Sequence, residues 1–299
     1  MSDTAPMTIR SLAPWFGGKR TQAPRIVVEL GKHDFYAEGC CGSLAVVLSK
    51  PPIGHEYVCD LHGDLINLAR VVASDELAPR LFERCARTAL CEPLLADMDQ
   101  SVRGADFDGD QPDLDRAYAY FVTSWGGRNG EAGLVKNERG RTVAMRWSPN
   151  GGGPGVRFKA AVDSIPAWWH RLRAVTILRR DWFEFCPSIK DRSGTAIYVD
   201  PPYLAKSDSY LYDFKNHGGA SLIPDDHQRL ADAMGRFQHA RVVVSYYDHP
   251  RLRELYPPNR WTYIDCSRAK NTSNQSGKAS IAPEVLIVNG PSFSNGGEW

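Results

Sequence analysis

The chain lacks several things that would assign it quickly. None of its apolar runs approaches the roughly 20 residues that a membrane-crossing helix needs, and Met1–Arg10 has no basic-then-apolar leader pattern. Both absences predict a soluble cytoplasmic protein with no membrane partner. An excess of either charge is also missing: 36 basic residues face 35 acidic ones, so any surface for a polyanion must come from local clustering. The seven cysteines form no CxxC pair, which excludes the usual zinc-ribbon and thioredoxin signatures. Adjacent Cys40 and Cys41 cannot readily bond to each other, and the set reads as reduced, mostly buried small hydrophobes. His55, His62, His170 and His227 have no ligand-like spacing, so no metal is expected.

What is present is ordinary in bulk and specific in places. A 42% hydrophobic chain of 299 residues can bury one large α/β core, with or without an insertion. Phe35–Glu38 reads as a strand, Gly42–Ser49 as a helix ended by Pro51-Pro52, Glu56–Asp60 as a second strand and Asp64–Ala73 as a second helix. That β-α-β-α order predicts a parallel sheet with helices on its faces. Strand-like alternation then stops. Helical stretches lie near Leu77–Leu95 and Leu114–Thr123, and a glycine- and arginine-rich segment follows from Gly126 to Gly155. Strands resume at Val175–Leu178, Thr195–Val199, Arg241–Ser245, Trp261–Ile264 and Glu284–Val288. The expected organisation is a core of residues 1–73 and 170–290, an inserted subdomain over 74–169 and a frayed tail over 291–299. Polar Arg268–Pro283 reads as a loop, and the Trp168-Trp169, Trp182, Phe183 and Phe185 aromatics read as core.

The most specific signal is Asp200-Pro201-Pro202-Tyr203, directly after the apolar strand Thr195–Val199. A residue before proline is pushed towards extended geometry, and proline itself fixes φ and donates no hydrogen bond. The result is a stiff turn at the carboxyl end of a strand, where open α/β sheets bind ligands. Two acceptors there, the Asp200 carboxylate and the Pro201 carbonyl, can each take one N–H of an aromatic amine. They would draw the nitrogen towards tetrahedral geometry and stabilise the positive charge it acquires on attack. Tyr203 could stack on the ring that carries the amine, an interaction worth roughly 1–3 kcal/mol per base.

Upstream features suit a nucleoside ligand. Glu38 ends one strand before the small-residue turn Gly39-Cys40-Cys41-Gly42-Ser43, and Asp60 ends the next strand, 22 positions beyond Glu38. A second-strand acid at that spacing can bind ribose hydroxyls. The glycines are too few for a dinucleotide fingerprint, which argues against a nicotinamide-dependent oxidoreductase. Trp15-Phe16-Gly17-Gly18-Lys19 places an indole and an ammonium around a tight turn, suited to a planar group and a carboxylate. Between Gly126 and Ala160, Arg128, Lys136, Arg139, Arg141, Arg146, Arg157 and Lys159 face only Glu131 and Glu138; seven against two leaves +5 in a nearly neutral chain. Such charges would contact phosphates, with one or two arginines able to read guanine.

In motif order these residues resemble the D12, or Dam-like, class of N6-adenine DNA methyltransferases, across nearly the whole chain. Trp15–Lys19 is similar to that family's W-x-G-G-K segment, Glu38–Ser43 to its cofactor loop and Asp60 with Asp64-Leu65-Ile66 to its D-x-N-x-D-L-I element. Phe121–Gly130, with Arg128 and Asn129, is similar to the segment opening its target-recognition region, and Asp200–Tyr203 matches its catalytic motif. Val243-Val244-Ser245, with Asp248 and Glu254-Leu255-Tyr256, resembles its late strand and helix. The chain departs from the pattern at Gly39-Cys40, at Ser43-Leu44 and at His62, where the family has Pro-Phe, a second glycine and asparagine.

The resemblance implies a Rossmann-like α/β sheet with a mainly helical target-recognition insertion, and S-adenosylmethionine as cofactor held by Trp15, Lys19, Glu38, Gly42, Asp60 and Asp200. It implies catalysis by Asp200, Pro201, Pro202 and Tyr203 on a flipped adenine of double-stranded DNA. It also implies DNA contacts from Arg128, Asn129, Lys136, Arg139, Arg141 and Arg146, a bacterial or phage-encoded restriction-modification setting and no obligate protein partner. The alternatives are N4-cytosine methylation, an RNA or single-stranded DNA substrate, and a DNA-binding relative without catalysis.

Overall fold

A computed structural model describes residues 7–15, 17–102, 106–127, 152–204, 223–269 and 281–295. The first half of the chain runs α1 (Ala23–Leu30), β1 (Phe35–Gly39), β2 (His55–Asp60), α2 (Gly63–Ala73), α3 (Leu77–Ala86), α4 (Glu92–Val102), α5 (Leu114–Gly126) and α6 (Pro154–Leu172). The second half runs β3 (Thr176–Arg179), α7 (Trp182–Phe185), β4 (Thr195–Val199), α8 (Ile223–Gly235), β5 (Arg241–Tyr247), α9 (Leu252–Leu255), β6 (Trp261–Asp265), β7 (Arg268–Ala269), β8 (Ile281–Ala282) and β9 (Glu284–Asn289). No helix among the described residues is long and apolar enough to cross a membrane. The chain groups into two compact units, residues 1–20, 41–52 and 56–179, and residues 21–40, 53–55 and 180–299.

The first unit holds β2 and β3, paired in parallel with Val58 opposite Ile177 and Cys59 opposite Leu178. Helix α2 buries Leu65, Ile66, Leu68, Ala69, Val71 and Val72, and it packs on α5 and α6. Polar clasps set its position. Asp106 accepts from the Gly63 and Asp64 amides at 2.5 and 2.8 Å, an acidic cap that suits a helix start. Asp64 pairs with Arg116 of α5 at 2.6 and 2.9 Å, and Asn67 exchanges two hydrogen bonds with the Asp113 backbone at 2.9 and 2.8 Å. Two indoles pin the N-terminal segment: Trp168 donates to the Ile9 carbonyl at 2.5 Å and Trp125 to that of Leu12 at 2.9 Å. Buried Glu56 takes Lys50 at 2.5 Å and both nitrogens of the Arg171 fork at 2.6 Å.

In the second unit β4 lies between β1 and β5, all parallel, and antiparallel β9 joins β5 to β6. Every residue of β4 is buried, as expected of a parallel strand covered on both faces. Glu29 of α1 anchors the far end of the chain. It pairs with buried Arg241 at 3.0 Å and accepts from the Ser292 hydroxyl and the Phe293 and Ser294 amides at 2.8–3.1 Å.

The strands fall where periodicity places them, and the mixed α/β architecture with mainly parallel pairing stands. Four expectations change. Gly42–Ser49 is a run of turns rather than a helix, with isolated bonds such as Leu48 N to Leu44 O at 3.1 Å; positive φ at Gly42 (47°) and Leu44 (60°) interrupts helical geometry. The Leu77–Leu95 stretch divides into α3 and α4. The expected tail over 291–299 begins with a 3-10 turn at Phe293–Asn295, tied down by Glu29. Between Arg268 and Pro283, β7 pairs with β8 in a short antiparallel ladder.

Candidate nucleoside and amine sites

In the first unit Trp15, Gly42 and Asp60 come together. The Gly18 amide bonds the Trp15 carbonyl at 3.1 Å, closing a turn in which Gly17 has φ 71°. That turn sets the indole against Gly42, where an added Cβ would lie 2.7 Å from Trp15 Nε1. Gly42 therefore combines a positive φ, which glycine adopts without strain, with a ring contact that leaves no room for a Cβ. Its amide donates to Asp60 Oδ2 at 2.8 Å, and the His62 amide donates to Oδ1 at 2.9 Å. Burial raises the Asp60 pKa, while these two amides and the nearby His62 ring oppose the rise. Lys19 is 4% exposed, and its ammonium donates to the Gly17 carbonyl at 2.7 Å.

His62, which appeared in the sequence only as a departure from a pattern, has a defined job. Its Nδ1 accepts from the Leu65 amide at 3.2 Å and caps α2, as the asparagine it replaces could. The ring stands edge-on to Trp15, with centroids 5.2 Å apart, and 5.7 Å from the Tyr120 ring. An indole, a strand-end carboxylate oriented by backbone amides and a small-residue turn form a donor and stacking set that fits a nucleoside. The indole offers a face to a purine, and each Asp60 oxygen has a further lone pair for a ribose hydroxyl.

The second unit carries the Asp-Pro-Pro-Tyr turn. The Asp200 amide bonds the Gly39 carbonyl at 3.2 Å, extending the β1–β4 ladder by one residue before the prolines end it. Asp200 Oδ1 then accepts two hydroxyls, Ser245 Oγ at 2.7 Å and Tyr203 OH at 3.1 Å. Ser245 has one proton and spends it on Asp200, so the Tyr198 hydroxyl, 3.0 Å away, donates to Ser245. A chain of hydroxyls from three elements thus fixes how the carboxylate is rotated. Tyr203 is 2% exposed, its ring edge-on to Tyr247 at 4.5 Å and 5.9 Å from Tyr246.

Glu38, 1% exposed, accepts from Tyr36 OH at 2.8 Å on the same face of β1. Trp182 covers Gly39, where an added Cβ would collide with the indole. Tyr198 was not singled out in the sequence, while Ser245, His62 and Trp182 stood there only as the end of a late strand, a departure from a pattern and a core aromatic. Of these, His62 carried a local signal, its N-cap position before α2. Arg128, Asn129, Lys136, Arg139, Arg141 and Arg146 lie outside the described residues. Five of the seven cysteines are buried, as expected of small hydrophobes.

A mixed α/β fold with mainly parallel pairing, an acid held by amides at one strand end and an Asp-Pro-Pro-Tyr turn at another fits the Rossmann-like methyltransferases. Comparison with known proteins finds similarity to a methyltransferase over nearly the full length. The chain is 23% identical over 290 residues to the Type II methyltransferase M1.LlaDCHI of Lactococcus lactis subsp. cremoris, covering 95% of this chain and 96% of that protein. No family model matches the chain.

Proposed function

We propose that the chain is an S-adenosylmethionine-dependent DNA methyltransferase that modifies N6 of a flipped adenine. The observation that carries this reading is the Asp200 carboxylate, set before two prolines at the end of a buried strand and oriented by the Ser245 and Tyr203 hydroxyls. The full-length similarity to a Type II methyltransferase supports it.

When bound, S-adenosylmethionine supplies an electrophilic methyl group. The chain's own residues do the rest. Trp15 stacks on the adenine ring of the cofactor, and Asp60 accepts its ribose hydroxyls. Lys19 and Glu38 complete the cofactor contacts. The Asp200 carboxylate and the Pro201 carbonyl each accept one N–H of the target amine. They turn its lone pair out of conjugation and stabilise the charge that develops there. Pro202 keeps the turn rigid, and Tyr203 orients Asp200 and borders the base. Extrusion of the target from the duplex makes the amine accessible, at a cost of a few kcal/mol. Residues 74–169 form the target-recognition region, in which Arg128, Asn129, Lys136, Arg139, Arg141 and Arg146 contact DNA.

Incubating the protein with labelled cofactor and a mixed-sequence duplex, then separating the nucleosides, tests the reading. Label in N6-methyldeoxyadenosine, lost in Asp200→Ala, is the expected result. Label in N4-methylcytosine would move the assignment to cytosine, and label only with RNA or single-stranded DNA would change the substrate class. Intact cofactor-free DNA binding with no methylation would identify a DNA-binding relative.

A further inference from the structure

The first unit contains a cavity of about 450 Å³ that shares Trp15 with the cofactor assignment and none of its other residues. It lies beside the N-terminal segment and the start of α6, and its lining includes Ser11, Pro14, Trp15, Arg20, Val156 and Arg157. Neither Gly42 nor Asp60 is part of it. Its size falls within the range of roughly 300–1,000 Å³ common for ligand pockets. Its chemistry is mixed in a particular way. Two guanidinium groups provide donors with no carboxylate among the lining residues, while two indoles and a proline provide flat apolar surface. Val156 is 64% exposed, one of two large hydrophobics so placed among the described residues.

A ligand that suits all of these at once is anionic at one end and planar or apolar at the other. A single nucleotide of a DNA strand has that form. We infer that this cavity seats one nucleotide of the substrate DNA outside the methylated base. Arg20 and Arg157 hold its phosphate, and Pro14 and Val156 pack on its sugar and base. Arginine suits this role because its planar fork matches phosphate oxygens in pairs. Charge complementarity favours the same occupant. Arg157 belongs to the one segment of a nearly neutral chain that carries a local +5. The inference rests on the DNA methyltransferase reading and names a contact that the reading alone does not supply.

The test measures duplex DNA binding by fluorescence anisotropy as a function of salt, for the wild type, Arg20→Ala, Arg157→Ala, the double variant and Lys159→Ala. Each lost phosphate contact lowers the slope of log K against log salt by about 0.9. Arg20→Ala and Arg157→Ala each share one phosphate, so each single variant is expected to weaken binding and flatten the slope by up to about 0.9, and the double variant by little more. Lys159 lies on the same helix but outside the cavity and pairs with Asp163 at 2.6 Å, so its variant should flatten the slope less than Arg157→Ala does. Binding of S-adenosylmethionine, measured by calorimetry, should be retained in Arg20→Ala and Arg157→Ala and reports that they are folded. Wild-type slopes in both arginine variants would overturn the cavity assignment, as would a loss in Lys159→Ala equal to that in Arg157→Ala, which marks a diffuse basic face. Absence of DNA binding by the wild type would overturn the DNA reading and this inference together.

Discussion

Replacing Ser245 with alanine should slow methyl transfer without weakening cofactor binding, because Ser245 touches neither partner of the reaction and acts through Asp200. The change removes the 2.7 Å hydroxyl-to-carboxylate bond and also strips the Tyr198 hydroxyl, 3.0 Å away, of its acceptor. A hydrogen bond to a charged group contributes about 1.5–3 kcal/mol. At about 1.4 kcal/mol per factor of ten, the corresponding loss in rate is roughly 10- to 100-fold. It should appear in kcat, since the bond holds the carboxylate at the angle the amine needs rather than binding substrate equally in ground and transition states. Single-turnover methylation with enzyme in excess isolates the chemical step, and calorimetry measures cofactor affinity separately. Ser245→Thr, which keeps the hydroxyl, should recover most of the rate. Tyr203→Phe removes the second donor to the same oxygen, so its effect and that of Ser245→Ala should not add. A single-turnover rate for Ser245→Ala within twofold of wild type would refute the reasoning. So would a loss that threonine fails to recover at all.

Three further outcomes follow from the packing. Burial pushes the His227 pKa down to about 4 from its ordinary 6.5. The unfolded chain therefore takes up a proton near pH 6.5 that the folded chain refuses. Stability from this residue is complete above that pH and falls, by up to about 3 kcal/mol, as pH drops from 6.5 towards 4. Urea midpoints between pH 7 and 5 should drop more for wild type than for His227→Gln; parallel curves would contradict this. Gly42→Ala should weaken S-adenosylmethionine binding measurably by calorimetry. A left-handed alanine costs about 1–2 kcal/mol, and its Cβ would press on Trp15; unchanged affinity would show that the Trp15–Gly42 contact is unimportant. Glu56→Leu should lower unfolding free energy by about 3–5 kcal/mol, since it strands Lys50 and Arg171 as buried charges. A urea midpoint equal to wild type would argue that water reaches the pair.

Short-range features were legible in the sequence. Thr195–Val199 reads as a strand because five residues without a polar break, followed by Asp-Pro-Pro, leave few other solutions, and its observed bounds agree. Asp60 and the Trp15–Gly18 turn were legible for the same reason, since each is a local pattern at a strand end or a tight bend. What stayed hidden depends on distant partners. The helical spacing of Gly42–Ser49 competes with contacts that hold Gly42 and Leu44 at positive φ, and no periodicity reports those. Ser245 looks like the end of one more valine-rich strand until β5 aligns beside β4 and brings its hydroxyl to Asp200. Trp182 and Gly39 are 143 positions apart, and only folding shows that one fills the space the other leaves.

The way Glu29 holds the last described turn has a consequence for how the chain emerges from the ribosome. The carboxylate is made early, yet Arg241 and the Ser292–Ser294 donors that satisfy it come near the end. The first compact unit has all its residues once position 179 is exposed, while the second, assembled from three separate stretches, waits for the remaining 120. At about 5–20 residues per second that wait lasts roughly 6–24 s. During it, β1 and the turn that begins at Asp200 have no completed sheet to join. A nascent chain stalled before residue 292 should therefore lose the second unit to protease while the first resists. An affinity tag belongs beyond Asn295, where it leaves that closing turn intact.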